Sequence, residues 1–105
     1  MRGFGDLRKL MQEAQRLQAE IAERQKRLDE ARVEGSAGGG AVTAVVNGHG
    51  RVVEIHIRPD VLEGNDAEML EDLLLSALQE AQRKAQELSR RVMGDLAPGL
   101  PGFGT

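Results

Sequence analysis

The 105 residues contain no cysteine, which excludes disulfides, thiol nucleophiles and cysteine-based zinc sites. Tryptophan and tyrosine are also absent, and the two Phe bring aromatics to only 2%. A core of this size ordinarily draws on a few large rings for buried area. Here Leu, Val, Ile and Ala must supply it, which favours long helices packed along stripes and a core completed by a second chain. No apolar run approaches the roughly 18 residues a membrane span needs, so no membrane partner is expected. The start, Met1-Arg2-Gly3-Phe4-Gly5-Asp6, lacks the apolar centre of a secretory signal, which points to the cytoplasm.

The motifs of catalysis are missing as well. There is no Gly-x-Ser-x-Gly elbow, no phosphate-binding loop ending in Gly-Lys-Ser/Thr, and no His-Glu-x-x-His. His49 and His56 are the only histidines, and two of them without cysteine are too few for a metal centre, so structural or solvated roles fit them better. Gly38-Gly39-Gly40 lacks the strand, helix and basic residue of a phosphate cradle and reads as a linker. These absences leave no expectation of an enzyme, a cofactor, a metal or a small-molecule substrate.

What is present is charge and periodicity. The formal charge is −3 and the pI near 5.4, yet the distribution is uneven. Residues 1–32 carry +2, residues 33–65 carry −2 and residues 66–105 carry −3. Within the last third the acids Asp66, Glu68, Glu71, Asp72 and Glu80 come first, followed by Arg83, Lys84, Arg90 and Arg91.

From Leu7 to Arg32, Leu7, Leu10, Ala14, Leu17, Ile21, Arg24, Leu28 and Ala31 recur at alternating steps of three and four. Only Arg24 breaks this heptad stripe, which predicts a helix of about 26 residues and about 39 Å, capped by Asp6. Such a helix must pack on a partner or project. Val33–Ser36 is a candidate short strand, and Ala41–Asn47 a second. Asn47-Gly48-His49-Gly50 reads as a hairpin turn that uses positive φ at Asn and Gly. Val52–Ile57 is the return strand, with Val53, Ile55 and Ile57 on one face, and Pro59 ends the pairing. Asn65 with Glu68 resembles a capping box for the last helix, whose stripe runs from Leu70 to Val92 and stops at Gly94. The reading is an α+β chain in the order α-β-β-β-α: a three-stranded antiparallel meander between two long helices. It is one domain over residues 1–96, with a flexible Gly/Pro-rich tail over 97–105.

This order and its motifs resemble the YbaB/EbfC family of bacterial nucleoid-associated proteins. The likeness rests on Leu10-Met11-Gln12-Glu13-Ala14-Gln15, on Val42–Gly48, on Ile55-His56-Ile57-Arg58-Pro59-Asp60-Val61-Leu62, on Met69–Leu73 and on the Ala77/Ala81 spacing. It covers about residues 5–93. Arg58 stands where the family usually has Asp, and Ala44 lies in a strand where Lys is common nearby. The resemblance implies an intertwined homodimer, helices projecting like tweezer arms, and binding of double-stranded DNA with little sequence preference in the nucleoid.

By themselves the cations fit a solvated helix surface of i,i+4 ion pairs better than a DNA-binding arm, given the acidic pI. The resemblance reverses that preference. Expected DNA contacts are then Arg8, Lys9, Arg16, Arg24 and Arg27 on the first helix and Arg83, Lys84, Arg90 and Arg91 on the last. Arg24, at a core-pattern position, either breaks the seam or snorkels out of an interface. Without aromatic platforms, duplex DNA suits the chain better than single strands. The expected dimer core comprises Val42, Val46, Val53, Ile55, Leu70, Leu74, Ala77, Leu78 and Ala81. The competing reading is a prefoldin-like helical clamp, which the Arg, Lys, Gln and Glu at the helix ends disfavour.

Overall fold

The computed structural model describes residues 3–94. Its elements are α1 (Gly3–Glu30), β1 (Val33–Ala37), β2 (Val42–Val46), β3 (Val52–Ile57), α2 (Pro59–Glu63) and α3 (Ala67–Met93). The strands form one antiparallel meander in the order β1-β2-β3. This is the α+β architecture expected, with one addition. Pro59 does more than end a strand: it opens α2, where its fixed φ suits a first helical position and its missing N–H costs nothing. The tail expected over 97–105 lies outside the described residues.

Several caps differ from expectation. α1 begins at Gly3, so Asp6 sits in the first turn, favourable to the helix dipole, rather than at the cap. The cap of α3 is Asp66, whose carboxylate accepts the Met69 N–H at 3.0 Å. Asn65 instead takes a left-handed φ of 53° and redirects the chain into the helix. At the far end of α1 the orphan carbonyls are satisfied by other segments. Gly48 N–H donates to Leu28 O at 2.7 Å, and the Arg32 guanidinium donates to Asp29 O at 3.2 Å and Ala31 O at 2.9 Å.

The core lies where α3 crosses the sheet. Val42, Ala44 and Val46 of β2 meet Ala77, Ala81 and Ala85 of α3, all fully or almost fully buried. Small residues dominate this seam because the backbones approach closely. A Cβ on Gly35 would overlap the Ala81 backbone nitrogen and the Ala77 carbonyl oxygen. The spacing of Ala77 and Ala81 is thus the imprint of β1 passing over α3. Leu70, Leu73, Leu74 and Leu78 pack around this centre, half-buried.

The hairpin also departs from its sequence reading. In that turn only Gly50 has positive φ, at 84°, while Asn47 is a buried brace whose side-chain oxygen accepts from His49 N and Arg51 N at 2.9 and 3.0 Å. Gly48 is required for proximity, since a Cβ there would crowd Leu28. The pairing of β2 with β3 slips after Val45–Glu54, so that Val46 faces Val52 and Val53 becomes the extra residue of a bulge. Strict alternation in β3 is therefore lost, and Val52, Val53 and Ile55 are all exposed.

The two edges of the sheet are treated differently. On β1, the Ser36 N–H donates to Glu80 Oε1 at 3.3 Å and Lys84 Nζ donates to Glu34 O at 3.1 Å, so α3 side chains occupy that edge. Among the described residues no side chain does the same for β3.

Candidate nucleic-acid interface

The basic residues nominated from sequence sit on the two long helices, and the way those helices leave the body decides what they present. The base of α1 is held by Leu28, which is 1% exposed, by the Gly48–Leu28 hydrogen bond, and by His49 Nε2 at 2.9 Å from Asp29 Oδ1. One turn further out, the Arg24 guanidinium donates to Val92 O at 2.6 Å and lies 3.4 Å from Glu20. Arg24 thus caps the C-terminal end of α3 and pins the two helices together. The seam between the two helices ends at Arg24, whose half-buried guanidinium is engaged within the chain. Beyond that point α3 ends and α1 continues alone: every residue from Gly3 to Ala19 is exposed. The result is a projecting arm on a molecule 78 × 24 × 16 Å in extent.

The other nominated cations divide into two sets. Arg16 bridges Glu13 and Glu20 at 3.2 and 3.4 Å, Arg27 pairs with Glu23 at 3.5 Å, Arg83 with Glu87 at 3.8 Å, and Lys84 with Glu80 at 3.2 Å. Exposed pairs of this kind contribute well under about 1 kcal/mol and exchange readily. Lys84 is further committed by its bond to Glu34 O. Arg8 and Lys9 on the outer arm, and Arg90 and Arg91 at the end of α3, make no ion pair among the described residues. Lys26, also on α1, and Arg51, which was not nominated, likewise make no ion pair among the described residues. Helical periodicity places Lys9 and Arg16 on the side of α1 away from its apolar stripe, with Arg27 at the stripe's edge.

The electrostatics elsewhere are local. Arg58 Nε donates to Asp60 Oδ1 at 2.6 Å, which holds the Asp60 carboxyl below its ordinary range and raises the guanidinium. The departure at Arg58 is therefore answered two residues on. Glu80 is likewise held low, first by its hydrogen bond from Lys84 and then by the Ser36 N–H. Among the described residues no three His, Asp or Glu side chains converge as a metal site would require, and no helix is long and apolar enough to cross a membrane.

The nominated dimer core splits in a single chain. Val42, Val46, Ala77 and Ala81 lie inside the chain's own core, and Leu70, Leu74 and Leu78 line its margin. Val53 and Ile55 are 41% and 38% exposed. The outer arm is also less polar than its sequence suggested. Phe4, Leu7, Leu10 and Met11 stand bare among its charges.

A three-stranded meander crossed by one long helix, with a second helix projecting from it, defines an arm-bearing α+β protein. Comparison with known proteins makes this specific. The YbaB/EbfC DNA-binding family matches residues 3–100, and the chain belongs to that family. It is 48% identical over 96 residues to a nucleoid-associated protein of Chloroflexus aurantiacus, covering 91% of this chain and 96% of that one. A nucleoid-associated protein of Rhodococcus opacus is 42% identical over 109 residues, with 96% of each chain covered. One from Bacillus thuringiensis is 42% identical over 98 residues, covering 93% and 90%. The crystal structure of an uncharacterized protein from Helicobacter pylori shares the fold, with a TM-score of 0.71, 24% identity, and coverage of 89% of this chain and 95% of that one.

Proposed function

We propose that this chain is a homodimeric nucleoid protein that binds duplex DNA through its phosphates, with little sequence preference. In this reading it works in the bacterial cytoplasm, organises the chromosome and thereby influences gene expression, without catalysis or a small-molecule substrate. The supporting observation is the set Arg8, Lys9, Arg90 and Arg91: exposed, without an ion pair among the described residues, and placed on the two long helices. Cations of this kind gain affinity by displacing the counterions of DNA. Arg16 and Arg27 join them by exchanging weak carboxylate partners for phosphate, whereas Arg24 and Lys84 are held by structural bonds. No compact helix-turn-helix aims side chains at base edges, which suits weak sequence preference. The dimer is supported by β3, an open sheet edge bearing exposed Val52, Val53 and Ile55. Pairing through that edge would bury them and give two arms per particle.

The test is fluorescence anisotropy with labelled duplexes of unrelated sequence across a salt series. Affinities within about tenfold of one another and a steep salt slope are expected, whereas operator-like discrimination above about a thousandfold would overturn the reading. A second reading, a prefoldin-like clamp for unfolded chains, draws on the bare apolar residues of the arm. It predicts suppression of aggregation of a denatured client at stoichiometric dimer, with no dependence on Lys9 or Arg91.

A further inference from the structure

The arm of α1 has two faces, and DNA binding accounts for only one. The other carries Phe4, Leu7, Leu10, Met11 and Leu17, exposed between 36% and 76%. Exposed apolar area of this size on a soluble surface marks a contact. The stripe is not a separate patch. It is the outward continuation of the seam that is half-buried at Ile21 and closed at Leu28. Where α3 ends at Met93, the same helix face runs on with no cover among the described residues.

We propose that this face is an arm-to-arm contact with a second copy of the chain, distinct from the dimerising edge of β3. Three observations select an identical arm as the occupant. The spacing Leu7, Leu10, Ala14, Leu17 is the a/d pattern by which helices pair with helices of the same kind. One border of the stripe consists of Gln15 and Gln18, with Gln12 beyond them, and Phe4, Leu7, Met11, Gln12 and Gln15 line a shallow groove together with Arg8. Amides donate and accept at once, so a glutamine border fits its own copy, where a border of one charge sign would repel it. Glu13 and Glu20 border the stripe on its other side, and Arg16, reaching them at 3.2 and 3.4 Å from the outer face, offsets part of their charge. Pairing through the stripe leaves Lys9 and Arg16 outward on the opposite face. A particle with two arms would thus join to others by the inner faces while holding DNA by the outer ones, and two DNA segments would be bridged.

The absence of cysteine provides a clean test. Single variants Leu7→Cys, Leu10→Cys, Ala14→Cys and Leu17→Cys, and the opposite-face controls Lys9→Cys and Arg16→Cys, are treated with a short bismaleimide without DNA. Stripe positions held against a second arm should couple about tenfold faster or more than the controls, because pairing raises the effective concentration of the thiols. Equal coupling from both faces, or none from either, would overturn the proposal. Sedimentation of Leu7→Gln/Leu10→Gln, which removes the apolar face without adding charge, supplies the second readout. These side chains are exposed, so the fold should survive, as circular dichroism will verify. The parent should reach species heavier than the variant, and the variant should keep the parent's affinity for a short duplex. Unchanged assembly in the variant would also overturn the proposal, as would stripe coupling abolished by an unfolded client protein, which would make the face a clamp. Neither readout uses DNA to detect the contact, so failure of the DNA-binding reading leaves a distinct signature.

Discussion

The arm and the body are built on opposite terms. In the body, α3 is pressed so closely on the sheet that a Cβ on Gly35 would meet its backbone, and three alanines line its buried face. In the arm, α1 runs from Gly3 to Ala19 with no covering element among the described residues. The body spends its apolar residues on itself, and the arm keeps a comparable set of leucines uncovered. The difference teaches that hydrophobic periodicity alone does not locate a core. Leu28 and Leu10 lie on one apolar stripe of the same helix, yet the first is 1% exposed and the second 66%.

The sharpest way to break this comparison is substitution at the tight seam. Gly35→Leu should cost about 3 kcal/mol or more, because the added atoms meet the α3 backbone, which cannot move aside as a flexible side chain would. Chemical denaturation should find this variant unfolded or barely folded, and near-normal stability would contradict the close approach. Leu28→Ala should lose about 2–5 kcal/mol, whereas Leu10→Ala, on the same stripe, should stay within about 0.5 kcal/mol in the absence of assembly. Comparable losses in urea titrations of dilute protein would erase the distinction between arm and body.

A smaller effect concerns charge. Reversing Lys9 and Arg91 should weaken binding of every duplex by about tenfold and flatten the salt slope, with little change in melting temperature. Reversing Arg16 and Arg27 should do less, since each already carries a carboxylate partner. If reversal of Arg51 and Arg58 abolishes binding while the arm variants bind normally, the sheet is the contact surface.

The smallest effect is on pH dependence. Glu80 is held below its ordinary value in the folded chain and returns to it on unfolding. Its contribution is therefore full above the ordinary glutamate range and is lost as pH falls through the lowered folded value. Asp60, held low by Arg58, behaves the same way. Thermal melts from neutral to acid pH should show a shallower acid-side decline for Glu80→Gln than for the parent. A parallel decline would mean that the link from β1 to α3 does not depend on the carboxylate.

Much of this architecture was legible in the chain because it is local. Heptad spacing from Leu7, β-branched runs at Val42 and Val52, and an Asn-Gly turn specify helix, strands and hairpin through the preferences of neighbouring residues. The candidate interface was legible only as a list of cations. Whether Arg16 is paired follows from neighbours four residues away and could be read in advance, but Arg24 on Val92 and Lys84 on Glu34 join residues 68 and 50 positions apart. The bulge at Val53 and the opening of α2 at Pro59 likewise depend on how strands register and where the chain must turn.

The sequence by itself determined the element order, the helix faces and the family to which the chain belongs, because periodicity and motif are properties of adjacent residues. Only the tertiary structure decided which stretch of the α1 stripe is core and which is arm, which sheet edge is blocked, and which cations stay free. Those outcomes depend on where α3 ends relative to α1, and on backbone approach at Gly35 and Gly48. Distances of that kind exist only once the chain has packed.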